Sequence, residues 1–421
     1  MFTKFKIMKI RFLYIITILF ILSGLSMAQT YSIVIKGGHV IDPKNNIDGV
    51  MDIAISDGKI ALLAKNIDVK DGKQVIDAGD MYVTPGVIDM HVHVFYGTKY
   101  EQALMNGQNS VGPDEFSFRA GVTTFVDAGS SGLRGFQDFK RQTIDISQTR
   151  VLAFLNIVGE GMRGGPFEQN IKDMDAHKTA EFAKKYPSEI VGIKLAHYDG
   201  HDWAPTDSTV EAGKLANLPV MIDFGQSDPP LSLEELLMKH LRPGDIFTHA
   251  YAYWPKTREA PVDENGKVKS FIFEAQKSGR IFDVGHGGGS FFWSQAIPSI
   301  RQGFIADAIS SDLHTGSMNS GMKDMSNLMS KFLNMGLSLQ EVILRSTWNP
   351  AKIIKRPELG NLSVGSEADV AVFSLVSGNF GFLDITGEKM KGTQKLVAEM
   401  TIRAGKIVWD LNGISAPEYK K

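Results

Sequence analysis

The sequence predicts an α/β protein, a (β/α)8 barrel carrying a small β-sandwich domain built from both chain ends. Three observations predict it. Eight short, near-continuous apolar runs fill residues 86–354, the pattern of parallel strands buried on both faces. Amphipathic stretches lie between most of them, and strands alternating with helices build a sheet covered by helices. Pro85 to Asn349 spans 265 residues, near the roughly 250 such a barrel takes.

Residues 29–85 come first and read as short strands with turns: YSIVIKGGHVID, MDIAISDGKIALLA and KQVIDAGDMYVTPG. Alternation bounded by turn residues marks a β domain. The barrel runs follow as GVIDMHVHV (86–94), GVTTFVDAG (121–129), VLAFLNIVG (151–159), IVGIKLAH (190–197), PVMIDFG (219–225), DIFTHAY (245–251), IFDVGHG (281–287) and DAISSDLH (307–314). Among the intervening helices, SLEELLMKHL (232–241) puts Leu233, Leu236, Leu237 and Leu241 on one face. VKSFIFEAQKSG closes on Gly279, a helix stop. Residues 355–421 return to strand patterns, ADVAVFSLV and KLVAEMTIRAGKIVWDLNG. Chain ends often lie close together, so 29–85 and 355–421 are expected to form one composite domain.

Ahead of these lies an address. Lys4, Lys6, Lys9 and Arg11 precede the uncharged run FLYIITILFIL, and Ser26 and Ala28 form a small-x-small pair. This is a secretory signal over residues 1–28, and its apolar core is shorter than the roughly 20 residues that span a bilayer. The mature protein is therefore expected to be exported, periplasmic or secreted, with no stable membrane span. Losing the signal removes four positive charges from a chain of 45 basic and 47 acidic residues. A chain this close to neutral lacks the clustered basic excess that a nucleic-acid partner needs. Zero Cys excludes thiolate catalysis, disulfides and Cys-bound zinc. The expected partner is a small-molecule substrate; a homo-oligomer stays open.

The polar residues sit where the apolar runs end, and a barrel enzyme builds its site at that rim. The first run ends in His91 and His93, the fourth carries Lys194, the fifth ends in Asp223, the sixth in His249, the seventh in His286 and the eighth in Asp312. Residues i and i+2 of a strand face one side, so His91 and His93 can grip one cation. Each residue alone has an ordinary explanation: partly buried strand histidines, a salt-bridged core lysine, satisfied core imidazoles. Together they point to a metal site, because buried charges are normally paired or bound to metal. A buried lysine is costly as an ammonium; its functional reading is a neutral amine that adds carbon dioxide and becomes a carbamate ligand. Glycines 287–289 beside His286 let a ligand approach the backbone, which gives His286 a substrate or oxyanion role. Arg163 in GEGMRGGP can pair with a substrate carboxylate or be a solvated loop residue. Tyr96, Tyr198, Trp203, Tyr251, Tyr253 and Trp254 are either a pocket lining or strand-end packing.

VTPGVIDMHVHV, STWNPAKIIK and LGNLSVGSEADVAVFSL, with GGHVIDP and DIAISDGKI at the start, resemble signatures of the amidohydrolase superfamily over nearly all the mature chain. VDAG, VGIK, GDIFTHAY, DVGHGGGSFFW and ISSDLHTG resemble its dihydroorotase-related amidohydrolase/deacetylase branch. The resemblance implies two divalent metal ions, usually zinc: one on His91, His93 and Asp312, the second on His249, with carboxylated Lys194 bridging. It implies an activated water attacking an acyl carbon, with Asp312 as general base and acid, in an amide or acyl-ester hydrolase. A cyclic-amide hydrolase of dihydroorotase or hydantoinase type is the alternative, and an inactive ligand-binding relative the reading from another class. One position departs from the pattern: the fifth run ends in Asp223 where members usually have His. A carboxylate there still ligates zinc, but it lowers Lewis acidity, favours a harder ion such as manganese, or leaves the second site empty. His197 and His201 can substitute for the lost imidazole, although rim-loop histidines often ligate nothing.

Overall fold

The computed structural model describes residues 31–97, 99 and 101–420. The expected signal segment, residues 1–28, lies outside the described residues. No helix among those described is long and apolar enough to cross a membrane.

The chain opens with β1 (Tyr31–Asp42), β2 (Ile47–Ser56), β3 (Lys59–Ala64), β4 (Gly72–Asp77) and β5 (Tyr82–Pro85). Alternating apolar residues put Ile33, Ile35, Val40, Ile53 and Ile55 into one buried cluster. The barrel strands follow: β6 (Val87–Val92), β7 (Val122–Gly132), β8 (Arg150–Asn156), β9 (Ile190–Leu195), β10 (Val220–Ile222), β11 (Ile246–Phe247) and β12 (Ile281–Phe282). The chain ends in β13 (Val370–Leu383), β14 (Lys389–Arg403) and β15 (Lys406–Asp410). β13 pairs antiparallel with β5, Ala371 opposite Thr84, so both chain ends share one eight-stranded mixed sheet. Val370, Val372, Met400 and Ile402 complete the buried cluster begun by β1 and β2.

β6 to β12 form a parallel sheet in sequence order. The eighth apolar run closes the curl without becoming a regular strand. Val284 and His286 donate to Ala308 and Ser310 on one side, while Asp312 donates to His91 and His93 donates to Leu313 on the other. Its pairing reaches Leu313, but the backbone is irregular at Asp312, whose φ of +50° is a left-handed conformation that a regular strand does not adopt. β11 is short for a similar reason, with His249 at φ +58° just beyond it. Both turns fall on rim residues, where local backbone strain commonly accompanies function.

The helices behave as their periodicity predicts. Leu233, Leu236, Leu237 and Leu241 are all buried, each contributing roughly 1.5–3 kcal/mol of apolar burial. Helix Ser270–Lys277 ends at Gly279, φ +90°. Below the rim, Met90, Val126, Phe154, Val191, Met221 and Ile246 pack with Ala351 and Ile354 from beyond the barrel. That apolar layer gives the polar rim above it a rigid floor.

Candidate metal centre

Both rim histidines, His91 in β6 and His93 just past its end, are oriented from behind. His91 Nδ1 lies 2.9 Å from Thr248 Oγ1 and 3.2 Å from Asp283 Oδ2. His93 Nδ1 lies 2.9 Å from Ser130 Oγ. With those sides occupied, the Nε2 atoms converge on Asp312 Oδ1, at 3.7 Å from His91 and 3.2 Å from His93. Those spacings match the edge of a tetrahedron, about 3.4 Å, around an ion with ligands at about 2.1 Å. His91, His93 and Asp312 are a buried His-His-Asp metal-binding group, their ligand atoms all within 4.8 Å of one another.

A layer of buried carboxylates braces the group. Asp283 accepts from Thr248 at 2.7 Å and Ser310 at 2.6 Å, and burial pushes its carboxyl up to about 6. Asp89 accepts from the backbone N–H and hydroxyl of Ser311, next to Asp312; burial pushes its carboxyl up to about 7. Asp127 accepts from the backbone of Val94 at 2.8 Å and of Ser130 at 2.7 Å. Burial, then Lys194, hold the His91 imidazolium well below its ordinary range. Burial opposes ionisation of Asp312, yet the His91 and His93 imidazoles hold its carboxyl well below the usual carboxylate range. Burial thus favours an unprotonated His91 nitrogen while Asp312 stays ionised, the forms in which these side chains bind metal.

The second cluster is looser. Lys194 is 1% exposed; burial lowers its pKa, although Asp223, Asp312 and Asp283 help retain its proton. It fits because Gly129, φ +88°, has no side chain: a Cβ there would sit 2.6 Å from Lys194 Cβ and Cγ. His249 Nδ1 donates to Gly285 O at 2.7 Å, and its Nε2 faces Asp223 Oδ1 at 3.7 Å. The buried guanidinium of Arg258 lies 3.4 Å from that same oxygen. It also donates to the carbonyls of Phe224, Thr248 and His249, tying the tips of β10 and β11 together. Burial lowers Arg258 to about 10. His197, in the loop after β9, has Nδ1 2.6 Å from Glu168 and Nε2 3.9 Å from Asp223 Oδ2. Burial disfavours the His197 imidazolium, but the Glu168 carboxylate outweighs it and leaves the pKa raised.

A cleft of about 420 Å³ opens over both clusters, lined by His197, Asp223, His249, Trp254, Arg258, Asp312 and His314 among others. A cavity of about 430 Å³ at the opposite end of the barrel, between Leu218, Arg242, Ile281 and Lys352, contains none of the rim residues.

The structure thus brings together His91, His93, Lys194, Asp223, His249 and Asp312, and leaves two expected substrate contacts outside the cleft lining. His286 is fully buried behind Gly287, its ring stacked on Phe291. Its Nδ1 donates to Gly287 O and its Nε2 accepts from Lys331, so neither nitrogen is free for a substrate. Arg163 pairs with Glu160 at 3.2 Å and lies over the Phe167 ring. Of the rim aromatics, Trp254 lines the cleft. Tyr251 is core, donating to no rim group and accepting from the Ala306 N–H. Tyr198 bonds Asp202, and Trp203 stacks on His240. His201 is exposed and reaches Pro229 O.

A parallel barrel with a His-His-Asp group at the carboxyl ends of its strands defines a metal-dependent hydrolase. Comparisons place it further. The model of the amidohydrolase family matches residues 293–408. A deacetylase of Agrobacterium fabrum is 33% identical over 355 residues, 80% of this chain and 81% of that protein. A deacetylase of Brucella anthropi is 32% identical over 359 residues, 81% and 83% of the two chains. The chain belongs to the amidohydrolase family, and curated relatives of this similarity are deacetylases. Among solved structures, an adenine deaminase superposes with TM-score 0.80 at 27% identity, covering 90% of this chain and all of that one. A dihydroorotase gives 0.79 at 28%, covering 90% and 99%.

Proposed function

We propose that the protein is an exported hydrolase of an amide or acyl-ester bond, deacetylation being the reading its relatives favour, and that it uses two divalent cations, zinc first among them. The observation that carries this is the convergence of the His91 and His93 Nε2 atoms on Asp312, with Asp223 and His249 lining the cleft above and Lys194 buried beneath it.

His91, His93 and Asp312 would hold the first cation; His249, Asp223 and carboxylated Lys194 would hold the second. Bound there, the cations would acidify a water and polarise the acyl oxygen. The chain's own groups do the rest. Thr248, Asp283 and Ser130 fix the imidazole orientations, so that the donor geometry is set before substrate arrives. Asp312, ionised and only 8% exposed, takes the proton of the attacking water and delivers it to the leaving nitrogen or oxygen. Lys194 requires a neutral amine to add carbon dioxide, and burial favours that form. Trp254 offers the acyl chain or leaving group an apolar wall, its indole held by Gly289 O at 3.0 Å. His286 and Arg163 receive no substrate role.

The similarity to a dihydroorotase structure supports a cyclic-amide substrate as the second reading. The test is metal analysis of protein purified without chelator or added metal, followed by hydrolysis of N-acetyl, O-acetyl and cyclic-amide compounds. Two ions per chain and acyl hydrolysis abolished by Lys194→Ala are expected. Metal-free protein with no hydrolysis supports a ligand-binding relative, and ring opening alone supports the second reading. Export is proposed from residues 1–28 and is checked by the N-terminus of protein recovered outside the cytoplasm.

A further inference from the structure

The second cation position lacks an imidazole from the fifth strand, and an imidazole stands beside the gap. His197 lies two residues past the end of β9, at φ +54°. It lines the cleft together with Asp223 and His249. Asp223 sits between two imidazoles, Oδ1 3.7 Å from His249 Nε2 and Oδ2 3.9 Å from His197 Nε2.

The rear of His197 is arranged as the rear of His91 is. Glu168, 3% exposed, meets Nδ1 at 2.6 Å. A carboxylate behind one ring nitrogen fixes the proton there and leaves the lone pair on the other, the arrangement that supports metal-ligating histidines. Glu168 is itself held by the Gly164 N–H at 2.6 Å, and the His197 carbonyl accepts from Gln169 at 2.7 Å. Charge points the same way. Arg258 meets the Asp223 carboxylate, so the pair carries no net charge, as a neutral imidazole would. A nitrogen donor is then what the position lacks. His201 is turned to Pro229 O, and the His314 ring lies 6.3 Å from that of His93, beside the first cation position.

We propose that His197 Nε2 is the imidazole ligand of the second cation position, supplied from the loop after β9 and backed by Glu168, with Asp223 held beside it by Arg258. The inference rests on the two-cation reading. It is tested by titrating the metal-free full-length chain with Co²⁺, read by visible absorbance and by bound metal per chain. The wild type is expected to take two ions. His197→Ala is expected to keep the first and bind the second at least about 10–100-fold more weakly. Adding Asp223→His to that variant is expected to restore the second. Glu168→Gln, which preserves shape, is expected to weaken the second ion about tenfold. Two ions at wild-type affinity in both His197→Ala and Glu168→Gln overturn this inference and leave the two-cation reading standing. A wild-type chain that takes a single ion overturns both.

Discussion

The two halves of the rim differ in how far the protein has built them. Around His91, His93 and Asp312 the ligand atoms already converge, and Thr248, Asp283 and Ser130 brace the imidazoles from buried positions. Around Asp223 and His249 the strands are two or three residues long, and a guanidinium rather than a hydroxyl layer braces the carboxylate. Converging ligand atoms with buried polar backing make a site rigid before anything binds. Short strand ends tied by one arginine make a site whose ligands are gathered by what they bind. The first half is therefore expected to hold its ion tightly and the second to exchange it.

The largest expected effect acts on the residue that combines cation binding with proton transfer. Asp312→Asn keeps the shape but removes the proton acceptor; kcat is expected to fall by about 10²–10⁴-fold, measured at saturating substrate. A fall below tenfold would remove Asp312 from proton transfer. Next comes a change confined to the second half. Gly129→Ala places a methyl 2.6 Å from the Lys194 stem at a backbone angle that disfavours alanine. It is expected to lower second-ion affinity by about 10–100-fold while the first stays bound, read as metal per chain after dialysis. Loss of both ions together would show that the halves are one unit. A smaller effect is expected from Ser130→Ala, which frees the rear of His93 and should weaken only the first ion, by about tenfold, in the same assay.

The barrel, its eight runs and the rim cluster were legible because period and polarity carry them: an ionisable residue ending an apolar strand has few other places to go. Asp283 also left a signal, an acid inside the apolar run IFDVGHG, and Thr248 sits beside His249 in DIFTHAY. Arg258 left none. It lies in the polar loop YWPKTREAP, and its burial against Phe224, Thr248 and His249 depends on a fold-back that no local pattern encodes. His286 was misplaced for the opposite reason. Its position at a strand end is that of a rim ligand, but the turn at Gly287, φ +56°, sends the ring behind the rim. The irregular eighth strand was likewise invisible, since DAISSDLH alternates well enough to be a strand until Asp312 turns left-handed.

The mildest expected effect concerns the far side of His286, outside the cleft lining. Lys331, on helix Met325–Asn334, is fully buried and donates to His286 Nε2, to Gly321 O at 2.8 Å and to Leu383 O at 2.6 Å. Burial lowers its pKa to about 7; Asp384 opposes the shift and Lys323 adds to it. The unfolded chain keeps this proton up to the ordinary lysine range, near 10.4. Between those values unfolding takes up a proton, so stability rises with pH there, by at most about 1.4 kcal/mol per unit. Below pH 7 both states are protonated and the burial penalty is present in full. Lys331→Met leaves two carbonyls and His286 Nε2 to find other partners, a cost of order 1–3 kcal/mol for each left unpaired, but it removes the slope. Urea midpoints at pH 7 and pH 9 are expected to separate for the wild type and to draw together in the variant. Equal rises in both would show that Lys331 keeps its proton in the folded chain.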